Sequence, residues 1–492
     1  MRWRDFDHLP PLPDNFFDTP RRVHFVGIGG IGMSALAFVL RARGHHVSGS
    51  DVSASEMLEK LRAAGVETVI GHRAENLDLL GAPAEAVIFG SAVRPDNPER
   101  AAAAERGIVQ WHRAQLLAYF VNNAQQSIAV SGTHGKSTTS AMIAHILTQC
   151  DKNPTAILGA VYPPFGSNVR IGDPDLVVVE ADESDGSFTL LRPTVAVVTN
   201  VEPEHLENYD HNEDELYRAF VIFISQTRGH VALNRDDEES FLKMQILART
   251  AYVTEAPAKR PAVYYYATQP REALLRASDI LEQERRVSFT LHLAKIKTFG
   301  TFHLSVPGQH NVSNALGASL AVWNLGIDPP SAAQTLSDFH GVARRFEFKG
   351  EANDIVVYDD YGHHPTEVRA TLEAARDFLQ RPVLVIFQPH RYSRTQRLGR
   401  DFGPAFAAAD RVIVTQLYSA FEEPIEGVSG RIVFDAVCES LPDKPVRYAE
   451  DLNEARQLAR EMAQPGDAII TMGAGDISTL GPLILQDLQS AS

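Results

Sequence analysis

Ser131-Gly132-Thr133-His134-Gly135-Lys136-Ser137-Thr138 stands between an apolar run, Ser127–Val130, and a helical stretch from about Lys136 to Gln149. The glycines allow a tight turn in which the backbone N–H groups of Gly132, Thr133, His134 and Gly135 converge on a phosphate. Lys136 supplies a cation for the terminal phosphates, Ser137 offers a hydroxyl to Mg²⁺, and Thr138 completes the loop. The general nucleoside-triphosphate loop has glycine where this chain has Val130, so this is a shortened variant. A lysine at a helix start opposes the helix dipole, which argues for a ligand-binding rather than a purely structural role. Strand, glycine turn and helix in that order predict a parallel α/β sheet.

The same pattern appears toward the N-terminus. Val23–Val26 reads as a strand, Gly27-Ile28-Gly29-Gly30-Ile31-Gly32 as the turn, and Met33–Ala42 as the helix. A second strand, His45–Ser50, ends at Asp51, 19 residues beyond Gly32. Glycines there permit close approach to a diphosphate, and the aspartate can accept hydrogen bonds from a ribose. The motif alone leaves NAD open as the ligand. Further alternation (Ser55–Ala64 helical, Ala86–Ser91 a strand, Pro98–Arg106 helical) predicts a first domain over residues 1–122, with 1–22 as an N-terminal arm.

Toward the C-terminus, Leu176–Val179 and Val195–Val198 read as strands buried on both faces. The first runs into Glu180-Ala181-Asp182-Glu183-Ser184-Asp185, carboxylates that repel unless a cation lies among them. His205, in the loop after the second, is a further candidate metal ligand. Val287–Leu293 and Phe299–Val306 alternate like antiparallel strands, which completes a second domain over 123–326. In a third, 327–492, the strands Ile355–Tyr358, Val383–Phe387, Arg411–Thr415 and Ala468–Thr471 alternate with helices, one of them, Thr366–Leu379, opened by Pro365. Two of these strands lead into His- and Arg-rich loops, 359–365 and 388–394, suited to proton transfer and carboxylate binding.

Composition sets limits. The chain has 492 residues, 44% hydrophobic and 22% charged, and a net charge of −16, which argues against broad binding to nucleic acid or anionic lipid. No run of apolar residues is long enough to span a bilayer and no signal peptide is visible, so a cytoplasmic protein is expected. Two cysteines, Cys150 and Cys438, cannot build a disulfide framework and are expected to be buried small hydrophobes.

Seven motifs in one order resemble the Mur ligase family: HFVGIGGIGMSALA at 24–37, SGTHGKSTT at 131–139, EADESDGSF at 180–188, VTNVEPEH at 198–205, PGQHNVSNA at 307–315, DDYGHHPTE at 359–367 and FQPHRYSRT at 387–395. The resemblance covers about Val23 to Leu485 and is nearest to the branch that adds L-alanine. It implies three α/β domains: a Rossmann-like N-terminal domain for a UDP-sugar, a central P-loop ATPase-like domain with an antiparallel add-on, and a Rossmann-like C-terminal domain for the amino acid. It implies an ATP-dependent ligase using Mg²⁺, with UDP-N-acetylmuramate, L-alanine and ATP as partners, active as a monomer or weak homodimer.

By motif match, Gly27, Gly29, Gly30, Ile31, Gly32, Asp51, His72 and Ser91 would bind the UDP-sugar. His310, Asn311 and Asn314 would lie near the adenine, and Arg345 and Asp360 would reach the nucleotide from the third domain. Ser137, Glu180 and His205 would hold Mg²⁺. Tyr361, His363, Arg391 and Arg394 would fix the amino acid and the muramoyl carboxylate, with His363 assisting deprotonation of the amine. Closure would bring the three domains' contributions together. The chain departs from the family pattern at Gln309 (usually Arg), at Tyr418-Ser419-Ala420-Phe421-Glu422 (usually Tyr-Pro-Ala-Gly-Glu) and at Asp476 (usually Asn). Two other readings are a recycling ligase for a ready-made tripeptide, which usually has Phe-Ala in place of Tyr361-Gly362, and a non-catalytic UDP-sugar sensor.

Overall fold

The computed structural model describes residues 6, 9–250, 261–283, 286–420 and 422–490. Three sheets carry the fold. The first contains β1 (Arg22–Val26), β2 (His46–Asp51), β3 (Glu67–Ile70), β4 (Ala86–Phe89) and β5 (Val109–His112), all parallel, in the order β3-β2-β1-β4-β5. The order reverses between β1 and β4, which opens a crevice at their C-terminal ends where the glycine turn lies. The arm is anchored in its described part: Phe17 packs edge-on against His45 and Tyr119, Phe16 against Trp111, and Gln115 Nε2 donates to Pro10 O at 2.7 Å.

The second sheet contains β6 (Gln126–Ser131), β7 (Pro154–Tyr162), β8 (Ser167–Arg170), β9 (Asp173–Glu180), β10 (Val195–Val198), β11 (His230–Asn234), β12 (Ala262–Ala267), β13 (Leu275–Gln283), β14 (Arg286–Leu293) and β15 (Lys297–Leu304). Its order is β15-β14-β13-β12-β11-β10-β6-β9-β7-β8. Parallel β6 is flanked by β10 and β9, so the phosphate loop emerges between Thr199 and Glu180. Valines and alanines dominate β6, β9 and β10 because both faces are covered. The predicted extension at 287–306 is present as β14 and β15, and β7 and β8 form an antiparallel hairpin at the opposite edge.

The third sheet contains β16 (Glu347–Ala352), β17 (Ile355–Asp360), β18 (Val383–Phe387), β19 (Arg411–Thr415), β20 (Val446–Ala449) and β21 (Ala468–Met472), in the order β16-β17-β21-β18-β19-β20. Only β16 runs antiparallel, on β17. Pro365 opens the helix Pro365–Leu379, with Glu367 closing a capping box on His364.

The chain divides into two compact units, one of residues 1–279, 289–302 and 310–337, the other of 280–288, 303–309 and 338–492. Cys150 and Cys438 are free thiols, half-buried rather than buried as expected: each lies toward the C-terminal end of its helix, where packing is incomplete. Among the described residues no helix is long and apolar enough to cross a membrane.

Candidate active site

The phosphate loop is held open by its neighbours. Gly132 has φ +135°, and a Cβ there would lie 2.1 Å from Thr199 Oγ1. Gly135 has φ +83°, and its Cβ would lie 2.6 Å from Asn314 Oδ1. Both positions therefore require glycine for conformation and for space. Asn200 pins the loop from the β10 side, its carbonyl accepting from Thr133 N at 3.1 Å and its Oδ1 from His134 N at 2.8 Å. The helix Lys136–Gln149 starts directly after Gly135, with the N–H groups of its first turn facing the loop.

Lys136 is enclosed. Its Nζ lies 2.7 Å from Gly132 O, 3.1 Å from Thr133 O and 2.7 Å from Glu183 Oε2. Burial alone would lower its pKa, but the carboxylates of Glu183, Asp182 and Glu180 outweigh burial and push it up to about 12. The lysine is cationic at every physiological pH. Burial pushes the Glu183 carboxyl upward, and Lys136 offsets this only in part.

Glu180, at the end of β9, accepts from Gly159 N of β7 at 3.2 Å. His205 stands at φ +56°, half-exposed, with Glu204 and Glu207 about its ring. A separate set, His134, Glu202 and Glu204, brings three ligand atoms within 4.8 Å of one another, the only such group among the described residues. Glu180 and His205, predicted as ligands, are outside that set. The oxygens of Glu202 and Glu204 with the His134 imidazole make a donor set that a divalent cation can use. Asn314 abuts Gly135 and donates to Asn311 Oδ1 at 3.0 Å, while His310 is exposed at the start of the same helix, Gln309–Trp323.

The first crevice is equally defined. Gly27 N and Ile28 N donate to Ser50 O, and Gly29 N to Asp51 Oδ2 at 2.8 Å. Asp51 thus shapes the turn itself, its other oxygen accepting from Val52 N. The turn feeds the helix Ile31–Ala42 through Gly30, with Ile31 exposed beside it and Gly32 under Arg113, whose Nη1 would sit 3.7 Å from a Cβ there. His72 Nδ1 meets Ser50 Oγ at 2.9 Å and Glu99 Oε2 at 3.2 Å. Burial alone would raise the Glu99 pKa, but hydrogen bonds with His24, Ser50 and Asn76 outweigh it and hold the carboxyl below its ordinary value. Ser91 Oγ contacts His112 Nε2 at 2.9 Å and donates to Asp185 Oδ2 at 3.2 Å, with Arg113 3.5 Å from the same oxygen.

In the second unit, Asp360 braces two loops: Oδ2 accepts from Phe346 N at 2.8 Å and Oδ1 from Gly362 N at 2.7 Å. Arg344 and Arg345 lie over the Tyr361 ring at 5.0 and 5.3 Å. His363 Nδ1 is 2.9 Å from Tyr361 O, so it carries the ring proton and leaves Nε2 as an acceptor. His390 Nδ1 faces Arg394 Nη1 at 3.2 Å, which assigns its proton to Nε2. Burial lowers both imidazoles to about 4, with Arg394 adding to the effect on each, so both are neutral at pH 7. Arg391 has φ +71°, and its N–H is tied to Tyr418 O at 2.8 Å, strain of the kind that marks functional loops. Tyr418 stacks on His390 at 5.6 Å and 9°, and Glu422 accepts from Ser393; Phe421 lies outside the described residues. Asp476 accepts from Gln388 Nε2 at 2.7 Å, a bond the family's usual asparagine can make equally.

Sequence reasoning placed Glu183 and Asp185 only within an acidic cluster, and passed over Gly159, Glu99 and Arg113. Their contacts depend on which strands are neighbours, which a linear motif does not carry.

Three family profiles match the chain: "Mur ligase family, catalytic domain" at 22–125, "Mur ligase middle domain" at 130–322 and "Mur ligase, glutamate ligase domain" at 344–475. The UDP-N-acetylmuramate–L-alanine ligase of Rubrobacter xylanophilus is 42% identical over 472 residues, 95% of this chain and 100% of that protein. The enzyme of the same name from Symbiobacterium thermophilum is 42% identical over 96% of this chain and 95% of its own length. Among solved structures, UDP-N-acetylmuramate–alanine ligase MurC from Thermotoga maritima superposes with a TM-score of 0.79 at 29% identity, covering 96% of this chain and 100% of that one. A murein peptide ligase from Psychrobacter arcticus gives 0.67 at 25% identity, covering 95% and 99%. With all three profiles in order and relatives this similar along nearly its whole length, the chain belongs to the Mur ligase family.

Proposed function

We propose that the protein is an ATP-dependent ligase that joins L-alanine to the lactyl carboxylate of UDP-N-acetylmuramate through an acyl phosphate, a step of peptidoglycan precursor synthesis in the cytoplasm. The observation that carries this reading is Lys136, a fixed cation at the helix end of a phosphate loop, beside the carboxylates at the end of β9. The same arrangement suits phosphoryl transfer from ATP to a carboxylate, where two anions must approach each other.

The glycine turn after β1 and the helix Ile31–Ala42 receive the UDP diphosphate, and His72 and Ser91 orient the rest of the nucleotide-sugar. Gly132–Gly135 and Lys136 hold the ATP phosphates, with Asn314 against the loop. Ser137, Glu180 and His205 would hold Mg²⁺, which would supply neutralisation of the phosphate charge. Once the carboxylate oxygen has become part of an acyl phosphate, phosphate is a competent leaving group. Arg391 and Arg394 bind carboxylate. His363 Nε2 accepts the proton released by the attacking amine. The protein acts as a monomer or weak homodimer.

The test is phosphate release from ATP and Mg²⁺ with UDP-N-acetylmuramate, comparing L-alanine, glycine, L-serine and the muramyl tripeptide. Release that depends on L-alanine is expected. Release with the tripeptide alone would make it a recycling ligase, and binding of UDP-N-acetylmuramate without release would make it a sensor.

A further inference from the structure

In this structure the Lys136 ammonium donates to Gly132 O and Thr133 O and is ion-paired with Glu183 Oε2 at 2.7 Å. A phosphate oxygen approaching the lysine competes with these three neighbours for it. The two carbonyls cannot retreat cheaply. Gly132 is wedged against Thr199 and Asn200, and Thr133 is bonded through its N–H to Asn200 O and through its hydroxyl to Glu202. Glu183 differs. Its backbone is fixed, its carbonyl accepting from the Tyr209 hydroxyl and from Gly186 N, but its carboxylate is the end of a rotatable side chain. In its ionised form it also repels an arriving phosphate, and the residue is only 3% exposed.

We propose that Glu183 is a positioning residue that occupies Lys136 in place of a phosphate oxygen and yields it when nucleotide arrives. The proposal rests on the reading of this loop as the ATP site and adds a residue that holds the lysine in place and sets the cost of filling the site. Replacing Glu183 therefore tightens nucleotide binding, the opposite of what damage to the site would do.

The experiment measures equilibrium binding of the non-hydrolysable analogue AMP-PNP, with Mg²⁺, to the full chain and to Glu183→Gln and Glu183→Asp, each first checked by thermal melting. Glu183→Gln removes the charge, whereas Glu183→Asp keeps it but withdraws it by one methylene. Both are expected to bind about tenfold tighter, the order of one charge-assisted hydrogen bond, and KM for ATP is expected to fall with the dissociation constant. Unchanged or weaker binding by both overturns the proposal. Tightening by Glu183→Gln alone also overturns it, because general charge repulsion would then suffice. If Glu183→Gln does not fold, Glu183→Asp decides. Wild-type protein that binds no nucleotide overturns the ATP reading and this proposal together, whereas wild-type binding without variant tightening overturns this proposal alone.

Discussion

Alanine at position 159 should disable the enzyme without weakening the fold. Gly159 lies on an exposed stretch of β7 in ordinary negative-φ backbone, so alanine is conformationally acceptable there and even favoured by a few tenths of a kcal/mol to about 1. A Cβ at this position would lie 2.2 Å from both Glu180 carboxylate oxygens. The carboxylate must swing away, which costs the fold little because it is the mobile end of a side chain. Function loses the Gly159 N–H bond to Glu180 Oε2 and the carboxylate's location together. A bond to a charged group is worth about 1.5–3 kcal/mol, which predicts a fall in kcat/KM of roughly 10- to 100-fold. The assay is phosphate release titrated with Mg²⁺, in parallel with a thermal melt. The expected result is a raised Mg²⁺ requirement with an unchanged or slightly higher Tm. Wild-type turnover and Mg²⁺ dependence in Gly159→Ala would refute the assignment of Glu180 to the metal, and a large loss of Tm would refute the packing argument.

Lys136→Met should lower ATP-dependent phosphate release by about 10³-fold or more, because it removes the cation held at the loop; retention of a tenth of the activity would contradict this. His363 titrates near 4 when folded and near 6.5 when unfolded, so its contribution is whole above pH 6.5 and drains away as the pH falls toward 4. Urea unfolding should show a loss of about 2 kcal/mol between pH 6.5 and 5 from this residue, and His363→Gln should flatten that slope. Asp476→Asn should leave kcat/KM within about twofold of wild type, because the acceptor for Gln388 Nε2 survives; a tenfold change would show that the charge itself matters.

The phosphate loop and the first glycine turn were legible because strand, turn and helix are contiguous, and the residues that need positive φ are the glycines one reads. Val195–Val198 was read to the residue because a run buried on both faces has no polar interruption. The edges were harder. Glu347–Ala352 and Ser167–Arg170 have little apolar alternation and are strands only because a neighbour supplies hydrogen bonds. Side-chain state was least accessible. That His363 stands in a loop able to move protons follows from its motif, but its depressed basicity comes from burial and from arginines far away in sequence. Gly159 reads as an ordinary strand glycine until β7 is set beside β9.

The loop that leaves β9 has two ends of different allegiance. Glu183 holds the lysine of the phosphate loop, and two residues later Asp185 takes hydrogen bonds from Ser91 and from its own Ser187 N, with Arg113 alongside. Three residues of backbone span at most about 10 Å, so the two contacts are made within one short stretch of chain. The loop thus touches both the crevice beside the first sheet and the phosphate loop of the second. Thermodynamic reciprocity then sets a rule for this chain: whatever factor ATP imposes on the affinity for the sugar nucleotide, the sugar nucleotide imposes on ATP.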